Sequence, residues 1–329
     1  MIDHGGDLSG FYYLNSNYGG PVLDLSTGIN PVAYPISAIQ FERWAKLPQK
    51  SHETALIAAA AAYLGVNPKY VRPAPGSQIL ISQLPYILRK TRVQVLSPTY
   101  GEHLPSWQQA GHDVLTTGFD EPLLEDVQVC IITNPNNPNG QVTRRETIVA
   151  YANALAARGG FLIIDEAFAD VMPSASVTDL VDQYPILILR SFGKFFGLAG
   201  ARLGFLVADE PFISSMQQKL GPWAVSGPAL DVATQAYLDD AWIDQTRSDL
   251  SSSMHRLCGL MKHAGFEHLG GTPLFALFQH QDMVRLNQKL LMGGVYARSF
   301  EAFPTWLRMG LPATESGWLQ LESILETLP

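Results

Sequence analysis

The sequence is poor in charge, in cysteine and in basic excess. Only 16% of its 329 residues are charged, while 47% are hydrophobic. A charged share below the usual quarter or so predicts a large buried core and argues against disorder. The 22 basic residues fall short of the 30 acidic ones, for a net charge of −8. That balance argues against a nucleic-acid binder, which needs a clustered basic face to displace counterions. No long hydrophobic run is present. The most apolar stretch, Ala55–Val66, is mostly alanine and falls short of the ~20 residues of a membrane span. The opening MIDHGGDLSG lacks the basic patch and apolar core of a secretory signal. The two cysteines, Cys130 and Cys258, share no motif and suit reduced thiols better than a disulfide framework. No His/Cys/Asp cluster has metal-ligand spacing, so no metal is expected. These absences predict a soluble, cytoplasmic protein that contacts neither membrane nor nucleic acid.

What is present is a succession of short apolar runs separated by helical stretches. Strands are expected at Val93–Leu96, Val127–Thr133, Phe161–Ile164, Ile186–Leu189 and Gly204–Ala208, and a helix over Thr143–Arg158, ended by Gly159 and Gly160. Apolar strands without alternation belong to a sheet covered on both faces. The fold class is therefore α/β, with a mostly parallel central sheet, helices on both sides and a smaller α+β domain. Clustered Gly221, Pro222, Gly227 and Pro228 place the C-terminal boundary near 219–228. The expected division is an N-terminal arm and part of the small domain at 1–45, a large domain at 46–225, and the C-terminal small domain at 226–329.

The residues that follow each run share a chemical theme. Ligands of open parallel sheets bind beyond the carboxyl ends of the strands. Those ends carry Tyr100, the loop Asn134–Gly140 (NPNNPNG), Asp165, then Ser191 and Lys194. Upstream, Gly76-Ser77-Gln78 precedes a helical stretch, and a helix start with free N–H groups is an anion cup. Arg202 lies eight residues beyond Lys194. Pyridoxal phosphate uses all of these at once. It needs a lysine for its aldehyde, a carboxylate for its ring nitrogen, a donor to its phenolic oxygen, a ring to stack on and a phosphate cup with a cation. Lys194, Asp165, Asn137 and Tyr100 take the first four roles. Gly76, Ser77, Gln78, Ser191 and Arg202 form the cup. Singly, each group has a plainer explanation, such as a turn, a cap or a strand end. Their recurrence at one sheet edge does not.

Together NPNNPNG, IIDEAF, SFGK and GLAGARLGF resemble the markers of fold-type I pyridoxal-phosphate enzymes of the histidinol-phosphate aminotransferase group. Within that group, HGGD at 4–7, STGINP at 26–31, DEAF in place of DEAY, and GGVYARSFEAFPTWLRMGLP at 293–312 are similar to the threonine-phosphate decarboxylases of cobalamin biosynthesis. The resemblance implies decarboxylation of L-threonine O-3-phosphate to (R)-1-aminopropan-2-yl phosphate. The alternative is an aminotransferase acting on histidinol phosphate or a related amino acid. It further implies that Arg298 and Arg308 bind the substrate anions with His4, Gly5, Gly28 and Asn137, and that two copies form a homodimer. Phe168 departs from the usual tyrosine and leaves Asn137 as the main neutral donor. Leu47 stands where relatives often carry a tyrosine that reaches across the dimer.

Overall fold

The computed structural model describes residues 5–15 and 18–327. His4 lies outside the described residues. The chain divides into two compact units. The larger comprises residues 33–137 and 142–243, and the smaller residues 1–32, 138–141 and 244–329. The first strand, β1 (Leu23–Asp24), belongs to the smaller unit.

Seven strands build the larger unit: β2 (Val71–Ala74), β3 (Arg92–Leu96), β4 (Asp113–Thr117), β5 (Val129–Thr133), β6 (Phe161–Asp165), β7 (Ile186–Ser191) and β8 (Gly204–Val207). Their order is β2-β8-β7-β6-β5-β3-β4. The pairs from β7 through to β4 are parallel, whereas β8 runs antiparallel to both neighbours. Every residue of β5 is buried, as a strand covered on both faces requires. Successive side chains point to opposite faces. Thus Cys130, Ile132, Leu162, Ile164, Ile186 and Ile188 enter one core cluster, and Val129, Ile131, Ile163, Leu187 and Leu189 the other. Burial pushes the Cys130 thiol up to about 12, so it serves as an apolar core residue.

β2 and β4 were not visible as apolar runs, and both are edge strands. β4 (DVLTT) is partly exposed, and β2 carries Pro73, which an edge strand tolerates.

The smaller unit holds β9 (Glu267–Thr272), β10 (Phe275–Gln279), β11 (Val295–Tyr296), β12 (Arg298–Phe300) and β13 (Phe303–Met309). Four form an antiparallel sheet in the order β12-β13-β10-β9, and β11 pairs in parallel with β1. The N-terminal segment is anchored within this unit. Phe11 is fully buried and meets the rings of Tyr18 and Tyr296 edge-on.

The expected cuts at 45/46 and 225/226 both fall within the larger unit. The Gly/Pro cluster lies within that unit. Its last residues start the helix Gly227–Tyr237, which is buried along most of its length. The division falls instead at Ile243/Asp244, inside the helix Asp240–His263. Among the tryptophans, Trp107 and Trp318 are buried, but Trp44 and Trp223 are exposed. No helix among the described residues is long and apolar enough to cross a membrane.

Candidate active site

Parallel pairing brings the chemistry together. Thr133 and Asp165, the last residues of β5 and β6, lie opposite each other. At the end of β7, Ser191 sits opposite Gly204 of β8, which in turn faces Ala74 of β2. These ends open into a cavity of about 180 Å³ lined by Gly76, Ser77, Gln78, Tyr100, Thr133, Asn137, Asp165, Phe168, Ser191, Lys194 and Arg202. All nine cofactor residues expected from the sequence therefore line one cavity.

The anion cup depends on glycine. Gly76 adopts φ +87, and a Cβ there would stand 2.5 Å from Nη2 of Arg202. A Cβ on Gly204 would overlap the Ser77 amide nitrogen, so β8 can lie directly beneath the start of the helix Ser77–Gln83. Arg202 is itself left-handed at φ 48 and donates Nη1–H to the Ala199 carbonyl at 3.0 Å. An alanine at position 76 has to adopt a left-handed backbone, at about 1–3 kcal/mol, and push the guanidinium aside. We expect Gly76→Ala to weaken cofactor affinity by about 10- to 100-fold, since each 1.4 kcal/mol is tenfold. Spectroscopic titration of the apoenzyme with pyridoxal phosphate checks this. Affinity within about twofold of wild type would count against the cup.

The asparagine loop divides its labour. Asn134 donates to the Ala175 carbonyl at 2.7 Å and accepts from Thr143 N–H at 2.8 Å. Asn136 accepts from the Thr99 hydroxyl at 2.8 Å and donates to the Pro98 carbonyl at 2.9 Å. Both are fully buried and fix the loop, which leaves Asn137 facing the cavity. Tyr100 donates its hydroxyl to Gln78 Oε1 at 3.0 Å. Burial, with Glu102 and Asp165 nearby, pushes that phenol up to about 12, so it stays neutral.

Sequence reasoning missed His103. Its Nε2 lies 3.0 Å from Asp165 Oδ2, and both side chains are buried. Asp165 Oδ1 accepts from Ala167 N–H at 3.1 Å. The carboxylate is thus held on both oxygens. The available signal was spacing: His103 follows Tyr100 by three residues at the start of the helix His103–Gln109, where i and i+3 share a side. Phe168 does more than omit a hydroxyl. Lys194 Nζ lies 5.6 Å from its ring centroid, within cation–π reach.

In the smaller unit, Arg308 and Gly5 of the expected substrate residues approach Ser26. Arg308 is buried on β13 and donates Nη2–H to the Ser26 carbonyl at 2.6 Å. Gly6 N–H donates to the Ser26 hydroxyl at 2.8 Å, and a Cβ on Gly5 would overlap the Ser26 carbonyl. Gly28 is buried two residues on. Arg298 on β12 lies directly opposite Arg308. Burial and then Arg298 push the Arg308 guanidinium down to about 10. Like charges face to face are unfavourable, and an anion relieves them.

A lysine and a hydrogen-bonded carboxylate at neighbouring strand ends, beside a glycine-lined anion cup, define an enzyme site built for pyridoxal phosphate, and the residues present fit that group. The chain belongs to the aminotransferase class I and II family, whose model matches residues 21–320. It is 40% identical to a threonine-phosphate decarboxylase of Pseudomonas aeruginosa, over 99% of this chain and 97% of that protein. A threonine-phosphate decarboxylase of Sinorhizobium sp is 38% identical over 98% and 97% of the two chains. Among solved structures, histidinol-phosphate aminotransferase from Sinorhizobium meliloti in complex with pyridoxal-5'-phosphate superposes with a TM-score of 0.81. It is 18% identical and covers 96% of this chain and 94% of that one.

Proposed function

We propose that the protein is a pyridoxal-phosphate-dependent threonine-phosphate decarboxylase, converting L-threonine O-3-phosphate to (R)-1-aminopropan-2-yl phosphate and CO₂ for cobalamin biosynthesis. The observation that carries this reading is the opposed pair Arg298 and Arg308, of which Arg308 meets Ser26 beside Gly5 and Gly6. A substrate with both a carboxylate and a dianionic phosphate suits a pair of arginines, because the planar guanidinium fork binds oxyanions bidentately. Full-length similarity to two decarboxylases supports the same substrate.

When bound, pyridoxal phosphate supplies an electron sink for the pair left at Cα as a bond there breaks. Gly76, Ser77, Gln78, Ser191 and Arg202 would hold its phosphate, and Tyr100 its ring face. Asn137 would donate to its phenolic oxygen. Asp165, steadied by His103, would hold the proton on its ring nitrogen, because a nearby anion favours the charged form. Lys194 Nζ would carry the aldehyde and afterwards move a proton at the substrate Cα. In decarboxylation Lys194 would deliver a proton to Cα in place of the departing CO₂; in transamination it would remove the proton that Cα already carries. Orientation of the substrate, set by Arg298 and Arg308, selects between these outcomes.

Purified holoenzyme given O-phospho-L-threonine without any keto acid should release one CO₂ per amine phosphate formed. Keto-acid-dependent amino transfer with no CO₂ would instead establish the aminotransferase. Arg298→Gln should raise KM by about 10- to 100-fold, as loss of a charged hydrogen-bonded contact of 1.5–3 kcal/mol predicts.

We further propose a cytoplasmic homodimer. Phe41, Trp44, Leu47 and Trp223 are exposed, and Trp223 rims a groove of about 940 Å³ that begins at Pro48. Trp223 also holds φ 55, which is costly for a bulky residue. Exposed apolar surface of this kind suits a second copy.

A further inference from the structure

One row of paired residues crosses the four-stranded sheet of the smaller unit. Arg298 faces Arg308, Arg308 faces Leu277, and Leu277 faces Gly270. Directly opposed residues in antiparallel strands share a face and touch. Leu277 is fully buried and Arg308 nearly so, and close-packed interiors pass on displacement instead of absorbing it. The row ends at an irregularity. Leu277 pairs with Gly270 but Phe278 pairs with His268, which leaves Leu269 as the extra residue of a bulge.

The bulge turns the strand backbone toward another segment. Gly270 adopts φ +149, and a Cβ there would overlap the Asn139 carbonyl oxygen. Gly140, at φ +68, sits equally close, since its Cβ would overlap the Gly271 carbonyl. Glycine within a strand marks such an approach of backbone to backbone. Asn139 and Gly140 belong to the short segment 138–141 of the smaller unit. The residue just before that segment is Asn137, which lines the cavity.

We propose that this row positions Asn137: when an anion draws Arg298 and Arg308 together, the shift passes through Leu277 and Gly270 to the backbone at Asn139, and so to Asn137. Gly270 and Gly140 are then positioning residues for the reaction. The inference rests on the reading of Arg298 and Arg308 as the substrate's anion ligands. It adds a route by which occupancy of that pair reaches the group assigned to the cofactor's phenolic oxygen. Arg298 and Arg308 face one another on paired strands, so an oxyanion bound by both pulls on β12 and β13 at that point.

The test uses holoenzyme and 3-phosphoglycerate, which carries a carboxylate and a phosphate but no amine to react. Hydrogen exchange in wild type should slow at 137–141 and at 267–272 together when the probe saturates. Gly270→Ala should bind the probe within about threefold of wild type yet lose the slowing at 137–141, as uncoupling without loss of affinity requires. Its kcat should fall about tenfold with KM within about threefold, the pattern of a lost transition-state alignment. Unchanged exchange at 137–141 in saturated wild type overturns the proposal without any variant. So does full slowing that persists in Gly270→Ala. Probe affinity unaffected by Arg298→Gln overturns the anion reading itself, and the row falls with it for that separate reason.

Discussion

Lys194→Ala should leave a folded protein that no longer retains its cofactor covalently and turns over at least about 10³-fold more slowly. The magnitude follows from losing a positioned proton carrier, worth about 10²–10⁴, together with the attachment point of the aldehyde. Lys194 is one of eight lysines. It belongs to the short helix Phe192–Phe195 after β7 and lines the same cavity as Asp165. Borohydride reduction followed by peptide mapping separates its role from that of the other seven. Wild type should carry the label at 194 alone, and the variant nowhere. A label on any other lysine would overturn the assignment of the whole cavity. Far-UV circular dichroism should be unchanged, which separates loss of the amine from loss of the fold.

The second large effect concerns stability. Arg190 is buried beside Ser191 and donates Nη1–H to Glu166 Oε2 at 2.6 Å; its Nη2 bonds Asp170. Glu166 also accepts from the Ser176 hydroxyl and Val177 N–H, both at 2.7 Å. Asp170 accepts from the Tyr63 hydroxyl at 3.0 Å. Burial alone would lower the Arg190 guanidinium, but Asp170 and Glu166 push it above its ordinary value. Burial likewise pushes Glu166 up against the opposing pull of Arg190. Removing one partner of a buried ion pair strands its counterpart, at about 3–5 kcal/mol. We expect Arg190→Met to lose that much in urea unfolding. The sign of its pH dependence follows from linkage. A carboxylate raised above its unfolded value is least costly when protonated, so its burden grows as pH rises through the raised value. The deficit of Arg190→Met should therefore be larger at pH 8 than at pH 5. A deficit that stays constant across that range would show that Glu166 and Asp170 find other partners.

This ion pair also explains the geometry at the strand ends. Asp165 and Glu166 are neighbours, as are Arg190 and Ser191. One member of each couple lines the cavity, and the other two join beneath it. Glu166 N–H donates to the Leu189 carbonyl at 2.8 Å and extends the pairing of β6 and β7 past their last rungs.

Much of the cavity was legible because its residues follow apolar runs that could only be strands buried on both faces. Asp165, Asn137, Ser191 and Lys194 stand directly at such ends. His103 was not legible, since a histidine near a helix start reads equally well as packing until its neighbour across the sheet is known. Glu166 and Arg190 each stand at the end of an apolar run. Their union depends on the register of β6 against β7, which no local pattern encodes. β2 and β4 escaped because edge strands need no continuous apolar run. The two compact units divide elsewhere than the Gly/Pro cluster. Glycine and proline flag turns, and this division lies inside a continuous helix.

Phe168 has a further consequence for spectroscopy. With a benzyl wall at that position, Tyr100 is the one phenol lining the cavity among the described residues, and burial pushes it up to about 12. Across the mildly alkaline range no cavity hydroxyl ionises to distort the chromophore. A colour change of the holoenzyme in that range therefore does not originate in that phenol.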